Sequence, residues 1–260
     1  MQPIKIKTVV TETLENYKAI FGLVKESLNQ GKTLFKIYFV IATLCCLVFF
    51  ASFYLTGLND IMSASALTPW GIVTSVIVHS GGLNHLSFNL LGLFLWFILF
   101  LITNNSLKDE SKRYAVKSFV AIIFTAGFVS TFLWVILKPD SHTSGLSGVV
   151  YASEGVILAL SLINTLSLSR ISKPLTAQQK RRYLLWLFNV FIFVFILLSL
   201  MYSPSLFLNK EQNVNFFVHG ISFLGTFCFS VFWTLKDSGI LVAIAVDVRR
   251  LTHKIYPFFT

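Results

Sequence analysis

The sequence predicts an all-α membrane protein, a bundle of six spanning helices with both termini cytoplasmic. Three observations carry this. Apolar residues make up 55% of the 260 positions against 12% charged, and mean hydropathy is +0.75, the balance of a lipid-embedded chain and not of a soluble domain. The apolar residues gather in six runs, 34–56, 84–103, 116–137, 147–168, 184–202 and 214–235, each close to the ~20 residues that cross a hydrocarbon core of about 30 Å. The charges then alternate. Of the 21 Lys and Arg residues, all but Lys138 and Lys210 lie in 1–36, 104–117, 169–183 and 236–260, which share one side of a six-span topology. An odd number of spans would put a basic block on the wrong side, and the excess marks the cytoplasmic face.

The elements follow in order. In 1–33, Val10, Leu14, Tyr17, Phe21, Val24 and Leu28 fall on one helical face, with Lys5, Lys7, Lys18, Lys25 and Lys32 around them. This reads as an amphipathic helix lying on the membrane or packed on the protein's own cytoplasmic side. No cleaved signal peptide is expected, because the first apolar run starts near Leu34 and is long enough to span. The first connection, 57–83, is moderately apolar and contains Pro69, Trp70, Gly81 and Gly82; it suits a segment that dips into the interface without crossing. Residues 169–183 read as a basic loop, and 236–260 as a basic tail whose apolar stretch is too short to span. Three domains are therefore expected: 1–33, the core 34–235 and the tail 236–260. Cys45, Cys46 and Cys228 all lie in apolar runs and read as packing residues, with no disulfide framework. The net charge of +10 is spent on membrane orientation, so no nucleic-acid partner is expected, and no cluster suggests a metal or cofactor.

The second, fourth and sixth runs cross in the same direction. This brings His85, Asn89, Ser147 and His219 to one depth, within roughly 10 Å of the outer helix ends at 1.5 Å per residue. Ser147 opens the fourth run in GLSGVVYA, 145–152. Two readings of that stretch stand side by side. Gly148, Ala152, Gly155 and Ala159 form a small-residue stripe that admits another helix, or Ser147 is a nucleophile at a helix N-terminus whose free N–H groups can hold an oxyanion. In the sixth run His219, Ser222, Thr226 and Ser230 form a second small stripe, one that carries an imidazole. Two such faces can pack closely and set His219 beside Ser147, where a neutral imidazole is the usual base for a serine. Asp140 lies in the outer loop and Glu154 is seven residues deeper, so the pair would be a Ser–His dyad, with oxyanion donors from the Ser147 backbone, His85 and Asn89. Glu154 itself reads as a hydrogen-bonded structural group in preference to a proton relay.

These motifs resemble those of the rhomboid intramembrane serine proteases. GLSGVVYA is similar to the family's GxSGxxYA signature, and His85 to Asn89 (HLSFN) to its HxxxN element. Val78-His79 resembles the upstream histidine element, Trp70 to Thr74 (WGIVT) the aromatic-led segment of the first loop, and His219 takes the place of the sixth-helix histidine. The resemblance covers about 34–235. It implies a rhomboid-like bundle and cleavage of membrane-protein substrates near the outer membrane surface, commonly after a small residue. It also implies Ser147 as nucleophile, His219 as base, and His85 and Asn89 as oxyanion-hole side chains. Gly145, Gly148 and Tyr151 carry over as supporting residues, with the Tyr151 ring packed on the histidine. The implied setting is the cell membrane, with the site toward its outer face.

There are three departures. Ser222 and Thr226 stand where family members often have glycine, with Gly225 one place early. His79 and His85 are six residues apart where five is commoner. The arginine that often follows the loop tryptophan is Gly71. The alternative functions are a non-catalytic relative that binds membrane helices and, less well supported, a small transporter using His85, Glu154 and His219. A transporter should show internal repeats, and the sequence has no convincing one.

Overall fold

The computed structural model describes residues 21–22, 25, 31–107, 113–168, 177–202 and 216–236. Among these, six helices are long and apolar enough to cross a membrane. They are α1 (Lys32–Ala51), α2 (Gly82–Asn105), α3 (Val116–Leu137), α4 (Ser147–Leu168), α5 (Ala177–Tyr202) and α6 (Phe216–Leu235). The chain is an all-helical, multi-pass integral membrane protein. The amphipathic reading of 1–33 falls almost wholly outside the described residues, and so does the tail beyond Lys236.

The bounds differ from expectation where local chemistry intervenes. The first span stops at Ala51 and does not run to 56: Ser52 Oγ donates to the Phe49 carbonyl at 2.7 Å, and the chain turns through Gly57 at φ 82°. Such side-chain back-bonding competes with helix continuation, and a positive φ suits glycine. Helix α5 begins at Ala177, so part of the expected basic loop 169–183 forms the polar first turns of a helix whose apolar part is Tyr183–Tyr202. The first connection holds the short helices Leu58–Met62 and Gly71–Thr74 and a 3-10 turn, Ser75–Ile77, and crosses nothing.

Helix α4 is the centre of the bundle. Every residue from Ala152 to Ser161 is buried, and α4 packs on α2, α3, α5 and, most extensively, α6. The reason lies in its glycines. A Cβ on Gly155 would run into the Phe223 carbonyl and the Thr226 hydroxyl, and one on Gly148 would lie 3.0 Å from Val218 Cγ1. The backbones of α4 and α6 are therefore as close as small residues permit. At the end of α4 away from Ser147, Asn164 Nδ2 donates to the Thr103 carbonyl at 2.8 Å and to Asn189 Oδ1 at 3.0 Å. This polar clamp joins α4, α2 and α5 where lipid offers no partner of its own. Phe100 and Phe119 stack at 3.7 Å and join α2 to α3.

Candidate active site

The start of α4 is held from outside the helix. Gly145 adopts φ 117°, a backbone region that side chains disfavour, and its amide donates to the Ser75 carbonyl at 2.8 Å. A second tie lies upstream, where Ala64 and Thr143 exchange backbone hydrogen bonds of 2.9 and 3.0 Å. Leu146 is fully buried and pins the chain just before the helix. The first helical bonds run from the Val149 and Val150 amides to the Leu146 carbonyl. This leaves the Ser147 and Gly148 amides outside the ladder, as the first turn of any helix does.

From α6, His219 Nε2 lies 2.8 Å from Ser147 Oγ. His219 is buried, and the Tyr151 ring, one turn along α4, stacks on it with centroids 4.3 Å apart and planes at 29°. The two small-residue stripes meet as their spacing requires. Thr226 donates to the Ala152 carbonyl at 2.8 Å, and Ser222 Oγ lies 2.7 Å from Ser130 Oγ of α3.

The third wall is α2. The point where a Gly145 Cβ would sit is 3.1 Å from His85 Cε1, 3.6 Å from His85 Nε2 and 3.7 Å from Ser147 Oγ. A glycine is thus what keeps the space between imidazole and hydroxyl open. Asn89 is buried, and its Nδ2 has no partner among the described residues. A buried amide donor left unpaired costs about 1–3 kcal/mol, the usual mark of a group kept for something not yet bound. The arrangement has parts for acyl transfer: a hydroxyl against an imidazole, and a second imidazole, His85, beside the open space at Gly145.

A family model, the rhomboid domain, matches residues 66–236. The chain belongs to the rhomboid family. No curated protein and no solved structure matches it. In this rhomboid the departures from the family pattern have local explanations. Ser222 and Thr226 fit because α4 supplies Gly148 and Gly155 opposite them. At Gly71 the Ser63 carbonyl and Ala64 Cα occupy the place of a Cβ, so an arginine has no room. Trp70 still anchors the loop, donating from Nε1 to the Ile61 carbonyl at 2.7 Å.

Other expectations need correcting. Cys45 is buried, whereas Cys228 is exposed and does not serve as a packing residue. Glu154 is buried, but no hydrogen-bond donor or opposite charge among the described residues engages its carboxyl; the structural hydrogen bond expected of it is missing. Sequence reasoning also passed over Ser75. Its contribution is a backbone carbonyl, and no side-chain pattern announces that.

His79, whose spacing left its role open, packs against the site, its ring 5.5 Å from that of His85. It is buried with both ring nitrogens unpartnered among the described residues. Burial, reinforced by His85, pushes its pKa down to about 4. In the unfolded chain the value is about 6.5, so between these values the unfolded state binds more protons. The stability that neutral His79 contributes is complete above pH ~6.5 and lost as pH falls toward ~4, by a few kcal/mol at most. Melting of the detergent-solubilised protein should therefore shift downward across that window, and His79→Gln should flatten the shift. A parent curve as flat as the variant's would show that His79 titrates normally in the fold.

Proposed function

We propose that this rhomboid is an intramembrane serine endopeptidase that cuts membrane-protein substrates by a Ser147–His219 dyad. The observation that carries the reading is the 2.8 Å contact between Ser147 Oγ and His219 Nε2 inside a membrane-spanning bundle. Ser147 Oγ attacks the scissile carbonyl carbon while His219 Nε2 takes its proton. The oxyanion forms in the void before Gly145, facing the Ser147 amide, His85 and Asn89 Nδ2. His219 then returns the proton to the departing amine, and water, activated by the same imidazole, hydrolyses the acyl-enzyme. The Tyr151 ring holds the imidazole plane. The protease unit spans 34–235, with 1–33 and 236–260 as cytoplasmic flanks. The excess of Lys and Arg at the other ends of α2, α4 and α6 favours a site at the outer face of the cell membrane.

A fluorophosphonate probe tests this most directly: the parent should be labelled and Ser147→Ala should not. An unlabelled, folded parent would leave a binder of membrane helices in its place. Asn89→Ala should lower kcat about 10²–10³-fold with little change in KM, because an oxyanion donor acts chiefly in the transition state. A rise in KM at constant kcat would make Asn89 a substrate-binding group instead.

A further inference from the structure

Glu154 is left over from the mechanism. It is 6% exposed, in the middle of α4, and engaged by no donor or cation among the described residues. A carboxyl in that setting is costly. No lysine or arginine occurs in α2, α4 or α6, so the helices that build the site supply no counter-charge.

Its position relates it to the nucleophile. Tyr151 and Glu154 follow Ser147 by four and seven residues, which places all three on one face of α4. Seven residues are about 10 Å of rise. Helical side chains lean toward the N-terminus, here toward Ser147, so the carboxyl lies nearer the Ser147 level than the backbone rise alone would put it. That separation is about the reach of an extended lysine or arginine, and more than serine or asparagine can span. Tyr151, only half-buried, lies between the two on that face, and Val150 stands beside it. On α2, opposite Val150, stands Gly92, where even a Cβ would come within 3.3 Å of Val150 Cγ1, so a larger residue there would crowd that flank.

We propose that Glu154 determines specificity at this site, its carboxyl receiving the ammonium or guanidinium of a lysine or arginine that adjoins the scissile bond. The inference rests on the protease reading above and adds a substrate class to it: transmembrane segments with a basic residue beside the cleaved bond, one that turns inward toward α4.

The test uses the full chain in detergent with a transmembrane substrate in which each of the three positions on either side of the scissile bond is set in turn to Lys, Arg, Met or Leu. At one position the parent should show kcat/KM at least tenfold higher for Lys or Arg than for Met. In Glu154→Leu that ratio should fall to one or below, and in Glu154→Gln it should fall severalfold. Equal ratios in parent and variants, or no position at which the parent favours a basic residue, would overturn the proposal. Should Glu154→Leu fail to fold, the near-isosteric Glu154→Gln and the parent's own profile still decide. A parent that is labelled by fluorophosphonate and cleaves without basic preference sinks this inference alone. A folded parent that neither labels nor cleaves sinks the protease reading and this inference with it.

Discussion

Ser147→Ala and His219→Ala are each expected to lower kcat/KM for a transmembrane substrate by about 10⁴-fold or more, with melting and helix content close to the parent's. On the proposed mechanism the hydroxyl is a weak nucleophile until its proton has somewhere to go, and the imidazole at 2.8 Å would receive it. Because the two groups act as one unit, the double variant should be little worse than either single one. The exchange Ser147→Ala removes one oxygen at the mouth of α4 and leaves the Gly148 and Gly155 contacts with α6 in place, so loss of activity should not reflect loss of fold. Cleavage measured in bilayers, with circular dichroism on the same samples, checks both halves. Robust cleavage by either folded variant would place the chemistry on other residues.

Gly155→Val should have the next largest effect, and through packing alone. The added Cβ would meet the Phe223 carbonyl and Thr226 Oγ1, and a backbone atom cannot swing aside as a side chain can. Overpacking of this kind costs about 1–3 kcal/mol, occasionally more, here by prising α4 from α6. Those two helices carry Ser147 and His219, and a misplacement of about 1 Å costs on the order of 10² in rate. Activity should therefore fall at least 100-fold, together with a lowered melting temperature. Gly225→Ala is the control on the same helix pair, since a Cβ there has nothing within 4 Å; it should leave melting unchanged or raise it slightly. A Gly155→Val protein that melts and cleaves like the parent would show that the close approach of α4 and α6 is dispensable.

The bundle was legible in the sequence because each determinant is periodic or binary. Apolar runs of spanning length, alternating basic connections and small residues every third or fourth position leave little freedom, and α3 and α4 begin and end where their apolar runs do. The juxtaposition of Ser147 with His219 followed from two stripes that could satisfy each other only by meeting. What escaped was carried by backbone or by space. The Ser75 carbonyl that holds Gly145 and the Ala64–Thr143 bridge have no side-chain signature. The early stop of α1 at Ala51 coincides with a hydroxyl turned back on its own helix and a turn through Gly57. Glu154 was misread because an acid in a span invites a partner, and here the neighbours provide none.

The two helices that carry Ser147 and His219 are also the least apolar of the six, and α4 is the one most enclosed by the others. Hydrocarbon is a poor home for either of them singly; each is made welcome by its neighbours. During biosynthesis α4 emerges well before α6, so a nascent chain must shelter a serine, two glycines and an acid until α6 arrives. Helix α6 packs against α4 and delivers the imidazole in the same event. On the proposed protease reading, the unfinished polypeptide would lack its base and leave the membrane around it uncut.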